Sequence, residues 1–426
     1  MAQQQRGWTR KRWLSWLCSV LCLCAVTPAS ALDLVADFQK AMQHDPHYRA
    51  AQAEKGANLT LAEQARLSYL PEASLNTQRL QNDVAARRTM TVTQPLFNAE
   101  KLALLKMQDP RADFAEASLM TQQADLAQRL FKAATGIILA VENQSLNQAR
   151  LSALTQQTER AKRLYAMGQG TVTDQRDLEV KLAQARAQHL LLTSQVETAA
   201  KQYAAVVGER PKVAEFVLAK QHTALKLLPL DDHVAQSLAH HPAVKASKMS
   251  EKMAELEVSR AKGATLPTLS AAYINSSSGN LTNVSTALVV NMPFQVGTWM
   301  GHELAQQNLL KAVANRRETE EKIRVDVEKA WNQVSSGVEI LKAQSEAIDA
   351  ARLSVEANTR SFQGGIRSSV DVINAIQTVY QVTSDYVSIA VGQAESYLTL
   401  LASAQASPMD AIRQAQAYLL APAAPR

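Results

Sequence analysis

The sequence lacks the residues that build a disulfide-bonded domain or a compact enzyme. Its three cysteines, Cys18, Cys22 and Cys24, all lie near the amino terminus. The remainder of the chain therefore has no disulfide, no thiolate metal site and no cysteine nucleophile. Only 5% of the 426 residues are aromatic, a composition that suits long helices better than a compact aromatic core.

Motifs of catalysis and metal binding are missing as well. The sequence contains no Gly-rich phosphate loop, no nucleophile elbow and no HExxH motif. His44 and His47 flank a proline and His240 and His241 precede another, but no carboxylate or thiol spacing completes a metal site around them. We therefore predict no catalytic residue, no metal and no cofactor.

Residues 1–31 have the pattern of a secretory signal peptide. A basic start is followed by an apolar run at 13–26 and by small residues at 29–31, which predicts Leu32 as the mature start. Lipid attachment at Cys24 is an alternative, although Leu23 stands where a small residue is expected. After residue 31 no stretch reaches 18 consecutive apolar residues, so no transmembrane helix is predicted.

The signal also carries most of the apparent basicity. It holds four of the 45 basic residues and no acidic one, so its removal lowers the formal net charge from +6 to +2. A chain this close to neutral gives no electrostatic reason to expect nucleic acid as a partner.

The most informative feature is an internal repeat. Four landmarks recur in the same order: Asp45-Pro46 with His241-Pro242, Leu70-Pro71 with Leu266-Pro267, Gln94-Pro95-Leu96-Phe97 with Asn291-Met292-Pro293-Phe294, and Tyr165 to Gly168 before Thr173-Asp174 with Phe362 to Gly365 before Val370-Asp371. The offsets lie between 196 and 198 residues. The repeat predicts two helix–strand–strand–helix units at 32–210 and 230–406, a linker at 211–229 and a C-terminal tail at 407–426 without an evident role.

Proline positions and residue periodicity place the elements within each unit. Leu70-Pro71 and Leu266-Pro267 mark changes from helix to strand, since proline pushes its predecessor out of the helical region. Period-two segments predict strands at 72–78, 89–93, 269–274 and 284–291, with links at 81–83 and 276–283. Long helices are predicted at 99–167, 173–207, 297–362 and 370–406, the first one kinked at Asp109-Pro110.

The strand count predicts an oligomer. The alternation of polar and apolar residues is a weak signature of membrane barrel strands. Four strands cannot close a barrel, and an open edge in lipid would leave backbone groups unpaired. Two chains would supply eight strands around a filled interior, and three would supply twelve around a lumen; the strand count leaves both open.

The order and duplication of these landmarks resemble the TolC family of outer-membrane efflux and secretion proteins, over residues 32–406. The segment from Gly365 to Val372 looks especially like the TolC helix tip. The resemblance implies a mainly α fold with a small β part. The resemblance further implies a homotrimer in which four strands per chain contribute to a shared 12-stranded β-barrel, below which a long α-helical coiled-coil barrel crosses the periplasm.

The resemblance also implies a function and a location. Such a channel stands in the lipid of the Gram-negative outer membrane and exports proteins or small molecules without catalysis. Its partners are an inner-membrane transporter of ABC or RND type and a periplasmic adaptor; the cargo is not predicted. The alternative function is a periplasmic coiled-coil adaptor or scaffold, against which the alternating strands argue.

By the same resemblance, polar contacts at the helix tips close the channel. The matching gate and constriction positions are Thr173, Asp174, Phe362, Arg367, Asp371 and Asn374. Arg367 is expected to hydrogen bond to Asp174. Phe362 replaces the family's tyrosine and has no hydroxyl to donate. Asp371 matches an aspartate ring, whose next turn holds Asn374 instead of an aspartate.

Each of these positions also has a plain structural interpretation. Thr173-Asp174 could be a helix N-cap, and Arg367 could be solvated. Four glycines are predicted to form the tip turns and to lie where an adaptor docks: Gly168, Gly170, Gly364 and Gly365. Four aromatic residues near strand ends could form a membrane-interface girdle or simply pack: Tyr69, Phe97, Tyr273 and Phe294.

Overall fold

The computed structural model describes residues 32–79, 86–219, 227–293, 296–404 and 407–420. The predicted signal peptide at 1–31, the predicted link at 81–83 and Phe294 lie outside the described residues. The same holds for 220–226 of the predicted linker, for 405–406 and for 421–426.

The observed elements follow the predicted order twice. The first unit consists of α1 Leu34–His44, α2 Pro46–Leu67, β1 Glu72–Gln78, β2 Arg87–Phe97, α3 Ala99–Lys106, α4 Gln108–Ala166 and α5 Val172–Val207, followed by a short 3-10 helix Val213–Glu215. The second consists of α6 Leu230–His240, α7 Pro242–Gly263, β3 Thr268–Ser278, β4 Leu281–Asn291, α8 Val296–Gln363 and α9 Ser369–Ala404, followed by α10 Pro408–Leu419. The fold is mainly α with a small β part, as predicted.

The repeated X-Pro pairs begin helices in both units. Pro46 occupies the first turn of α2, and the Asp45 carboxylate accepts the Tyr48 N–H at 2.7 Å. Pro242 begins α7, and the His241 ring nitrogen accepts the Ala243 N–H at 3.2 Å. Proline costs little at such positions because the first helical N–H groups have no partner within the helix.

The four strands form one antiparallel sheet in the order β1-β2-β3-β4. Its register aligns polar residues in one set of cross-strand rows, such as Asn76, Thr89, Ser276 and Asn283. The alternate rows hold more apolar residues: Leu75, Met90 and Val284 share one row with Asn275, and these three apolar side chains are exposed in the single chain. Because opposed residues share a face, the sheet has one polar face and one largely apolar face.

The predicted link at 276–283 is wrong in extent. β3 continues to Ser278, and β4 begins at Leu281, so only Gly279 and Asn280 form the turn. Gly279 has a φ of 58°, which suits the two-residue turns that match the twist of antiparallel strands. The serine-rich segment thus extends the strand instead of ending it.

The interruption of the first long helix lies closer to the sheet than the predicted kink at Asp109-Pro110. The interruption lies at Met107, between α3 and α4, and Pro110 sits in the first turn of α4. Because proline has no N–H, it cannot bond the carbonyl four residues earlier, at Lys106. The helix therefore breaks just after that carbonyl, and the proline is accommodated at a new helix start.

The long helices lie side by side in one layer. α4 packs along α5, α8 packs along α9, and α4 also packs along α9. In the half of the layer away from the sheet, the helix order is therefore α5–α4–α9–α8, with α5 and α8 at its edges. Nearer the sheet, α2 packs along α4, and α7 packs against both α4 and α8. The two repeats meet where β2 pairs with β3, where α3 and α4 contact α7, and where α4 contacts α9.

Residues 407–420 are a packed element and not a tail. Ala411, Ile412, Ala415 and Leu419 of α10 are fully buried in the main hydrophobic cluster, together with residues of α1, α4, α5 and α9. Leu420 also forms an isolated antiparallel bridge with Leu218 of the predicted linker. This cluster lies along the middle of the helical layer, away from the sheet and from the far helix ends.

Candidate functional site

The two turns farthest from the sheet have the same backbone geometry. Gly168, between α4 and α5, and Gly365, between α8 and α9, both have a φ of 73°. The residue after each glycine donates its N–H back into the preceding helix, Gln169 to Leu164 and Ile366 to Ser361, both at 2.9 Å. These contacts are typical of a helix that ends at a left-handed glycine.

The other two predicted turn glycines differ from these. A Cβ at Gly170 would lie 3.1 Å from the Tyr165 backbone nitrogen, so close approach favours glycine there. Gly364 has no atom nearer than 3.6 Å to such a Cβ. Of the four predicted turn glycines, Gly364 alone has neither a positive φ nor a close neighbour that would exclude a larger residue.

A capping box begins each helix after the turn. The Thr171 hydroxyl accepts the Asp174 N–H at 3.1 Å and donates to its carboxylate at 2.6 Å. The equivalent pair in the second unit is Ser368 and Asp371, joined by bonds of 3.0 to 3.3 Å. The N-cap is therefore Thr171, two residues before the predicted Thr173, and Asp174 closes the box.

Asp174 also joins the two units at the tip. The buried Ser369 hydroxyl, from the first turn of α9, donates to the Asp174 carboxylate. The hydroxyl groups of Ser369 and Thr171 lower the pKa of Asp174 below its ordinary range. The carboxylate is consequently ionised at neutral pH and holds the start of α5 against the start of α9.

Arg367 has a different partner from the predicted one. Its guanidinium lies 3.6 Å from the Asp371 carboxylate, one turn along in the same unit, and both side chains are exposed to solvent. Within the chain, the expected Arg367–Asp174 bond is replaced by the bond from Ser369. The reason is geometric, since Ser369 faces Asp174 while Arg367 lies in the turn before α9.

The ring of Phe362 contacts the Arg160 guanidinium. The Arg160 guanidinium carbon lies 5.8 Å from the Phe362 ring centroid, within the range of a cation–π contact. Asn374 is an exposed residue of α9, one turn after Asp371, and its backbone carbonyl accepts the Thr378 hydroxyl at 2.9 Å.

Asp371 stays charged at neutral pH. The backbone N–H and the hydroxyl of Ser368 lower its pKa, and Arg367 adds to the effect. The tip of each chain therefore presents two ionised carboxylates, one facing the other unit and one exposed.

Some of these residues can be predicted from the sequence alone. The spacing Thr-x-x-Asp at 171–174 and Ser-x-x-Asp at 368–371 is a capping-box signature that identifies both caps. Ser369 and Arg160 have no such signal, because each acts on a residue about 200 positions away in the sequence.

Within the described ranges, no group of three or more histidine, cysteine or acidic residues could hold a metal ion. Among the same residues, no helix combines the length and apolar character needed to cross a membrane.

Comparisons with known proteins find relatives of this chain. Residues 234–404 match the family model described as "Outer membrane efflux protein". The alkaline protease secretion protein AprF of Pseudomonas aeruginosa is 24% identical over 88% of this chain and 85% of its own length. The outer membrane protein TolC of Escherichia coli is 20% identical over 83% of this chain and 78% of its own length.

Solved structures agree on the fold. The outer membrane protein VceC of Vibrio cholerae superposes with a TM-score of 0.75 at 17% identity, over 87% of this chain and 96% of that one. The chain is therefore similar over most of its length to outer-membrane secretion and efflux proteins of the TolC type, and its second unit matches the family model of outer-membrane efflux proteins.

Proposed function

We propose that three copies of this chain form a conduit through the outer membrane and the periplasm, closed at its inner end by the helix tips. The observation that carries the proposal is the four-stranded sheet with a polar face, an apolar face and two unpaired edges. Backbone groups at an edge exposed to lipid would each cost several kcal/mol. Pairing β1 of one copy with β4 of the next satisfies both edges.

The helical layer supports the same assembly. Its edge helices carry large apolar side chains that are exposed in the single chain. On α5 these include Val180, Leu190 and Leu191, and on α8 they include Ile340 and Leu353. Large apolar side chains exposed along an edge helix are consistent with a surface that another chain covers. A ring of three copies covers both edges with the same contact.

The number three follows from the function of a conduit. Two copies would give an eight-stranded barrel, which its own side chains fill, whereas three give a twelve-stranded barrel with a lumen. A lumen lined by the polar face of the sheet, with the apolar face toward lipid, suits the passage of solutes across the membrane.

The tips close the inner end in this proposal. Three Asp371 carboxylates around a narrow axis attract cations and repel anions, and Asn374 one turn further on adds no second acidic ring. Thr173, Asp174, Phe362 and Arg367 complete the gate. The turns at Gly168, Gly170, Gly364 and Gly365 form the surface on which an adaptor docks.

The acidic ring predicts cation selectivity in planar bilayers. Asp371→Asn removes the charge while leaving an oxygen to accept from Ser368, so reversal potentials in a salt gradient should move toward those of a non-selective pore. Asp371→Glu, which keeps the charge, is the matched control and should retain selectivity. Equal reversal potentials for wild type and both variants would remove Asp371 from the constriction.

The cargo is handed over by an inner-membrane transporter, of ABC or RND type, through a periplasmic adaptor. Similarity to an alkaline protease secretion protein over most of both chains favours a protein cargo. The family description as an efflux protein favours small molecules. Cross-linking from Met167, which is 62% exposed beside Gly168, followed by mass spectrometry of the captured transporter, distinguishes the two.

A further inference from the structure

An apolar pocket of about 230 Å³ lies in the half of the helical layer toward the tips. Its walls come from α4, α8 and α9, so the pocket lies where the two units contact each other. The apolar lining includes Leu146 of α4, Val355 of α8, and Ile376 and Val379 of α9. Apolar pockets that carry a few polar groups are the usual places at which proteins hold small molecules.

The charged residues of this pocket all have the same sign. Arg150 of α4 and Arg352 of α8 line it, and the described lining contains no carboxylate. Arg352 is largely exposed and lies 3.8 Å from the Asp349 carboxylate, one turn earlier on its own helix. The pocket therefore combines apolar walls with positive charge from two helices.

Arg150 is the partly buried cation of the two and has no carboxylate partner within the described ranges. Its guanidinium carbon lies 5.1 Å from the Tyr380 ring centroid. A contact with a ring uses the face of the guanidinium, whereas its five N–H groups lie in the plane and remain available. Burial lowers the pKa of Arg150, and Tyr380 opposes that effect, but the group stays charged because arginine is not deprotonated in proteins.

The equivalent positions of the other unit hold small neutral residues. The capping boxes at 171–174 and 368–371 fix the offset between the units at 197 residues. With that offset, Ala347 is the counterpart of Arg150 and Thr155 is the counterpart of Arg352. Both long helices fold with a small residue at the counterpart position, so the helical repeat does not require either arginine.

We propose that this pocket binds a small amphipathic carboxylate, whose charged group lies against Arg150 and whose aliphatic chain fills the apolar cavity. A carboxylate presents two oxygens that match two parallel N–H groups of a guanidinium. Arg352 adds a second positive charge at the same pocket. The site goes beyond the proposed conduit, and all its lining residues come from one chain.

The volume of the pocket limits the length of the ligand. An apolar cavity of about 150 Å³ holds benzene, which has six carbon atoms. In proportion, a cavity of 230 Å³ holds about nine carbon atoms. The ligand class is therefore a medium-chain fatty acid, and a phospholipid with two long acyl chains does not fit.

Photoaffinity labelling tests the site in the intact protein reconstituted in lipid nanodiscs. The probe is nonanoate with a diazirine at the end of its chain. Irradiation should attach it mainly to peptides that contain 146–153 of α4 or 376–380 of α9, as measured by mass spectrometry, and excess unlabelled nonanoate should abolish this labelling. The alcohol with the same chain and diazirine should label these peptides roughly tenfold less. Equal labelling by acid and alcohol, or labelling spread evenly along the helices, would overturn the proposal.

Substitutions test the assigned residues with the same probe. Arg150→Gln should raise the nonanoate concentration for half-maximal labelling roughly tenfold, because charge-assisted bonds are lost, and Arg150→Lys should restore part of the affinity. Arg163→Gln removes an exposed arginine of the same helix and should leave that concentration unchanged. Ala149→Trp changes an exposed lining residue, keeps both arginines and narrows the pocket, so it should also weaken labelling. Wild-type labelling in Arg150→Gln or in Ala149→Trp, or an equal loss in Arg163→Gln, would contradict the assignment.

Discussion

At the scale of single residues, Asp45 connects the start of one helix to the side of another. Its carboxylate accepts the Tyr48 N–H and two bonds from the Arg129 guanidinium at 2.8 and 3.2 Å, although only 4% of Asp45 is exposed. Burial opposes its ionisation, but the bonds from Arg129 and Tyr48 outweigh burial and lower the pKa of Asp45. At the equivalent position, burial lowers the pKa of His241 despite the Asp326 carboxylate nearby. A lowered pKa leaves a histidine neutral, so the His241 ring nitrogen can accept an N–H, whereas Asp45 accepts one as a charged carboxylate.

The lowered pKa of Asp45 predicts a pH dependence of stability. The stabilisation from this carboxylate is fully present above the unfolded-state value of about 4 and is lost as pH falls through the lower folded-state value. Asp45→Asn should cost roughly 2 kcal/mol at pH 7, because a charged hydrogen-bond partner of Arg129 is lost. Thermal unfolding followed by circular dichroism should give a smaller difference between wild type and variant at pH 3 than at pH 7.

Asp125→Asn is the matched control for this variant. It removes a carboxylate from the same arginine at a position where 47% of the side chain is exposed, so it should cost less than about 1 kcal/mol. A difference between wild type and Asp45→Asn that does not shrink at acid pH would show that the carboxylate's charge is unimportant there.

At the scale of elements, α10 holds the beginning of the described chain. The Gln416 amide donates to the Leu32 carbonyl at 2.5 Å and its oxygen accepts the Leu34 N–H at 3.0 Å, across more than 380 residues of sequence. Ser407 caps the helix, and its apolar side is buried against α1, α4 and α9. The helix α10 thus links the start of α1 to the main hydrophobic cluster in the middle of the layer.

Gln416→Ala should loosen α1 selectively. Loss of both bonds should cost about 1–2 kcal/mol, which corresponds to a roughly tenfold faster hydrogen exchange of the α1 amides if they open locally. Gln414→Ala changes an exposed side chain of the same helix in the same way and should leave α1 exchange unchanged. Equal protection of α1 in both variants would mean that apolar packing alone holds the amino-terminal helix.

The elements also show which features can be predicted from the sequence and which depend on tertiary packing. Pro71 and Pro267 separate helix from strand as predicted, because proline acts on its own backbone and that of its neighbour. The role of α10 was not predicted, since its apolar positions gain meaning only from α1 and α9. The bond from Ser369 to Asp174 was not predicted for the same reason: Arg367 and Ser369 lie two residues apart, and within the chain only the packing of α5 on α9 decides which one reaches Asp174.

At the scale of the whole molecule, the duplication accounts for the edges on which the proposed trimer rests. Two equivalent units give one sheet with β1 and β4 at its edges, and α5 and α8 lie at the edges of the helical layer away from the sheet. In the proposed trimer, the edges of one copy pack against those of the next.

The number of chains in the assembly tests this account most directly. Native mass spectrometry of the detergent-extracted protein should give three times the mass of the mature chain, which corresponds to twelve strands around a lumen. A dimer would correspond to eight strands around a filled interior, and a stable monomer would leave β1 and β4 unpaired. Either of these two masses would contradict a trimeric conduit.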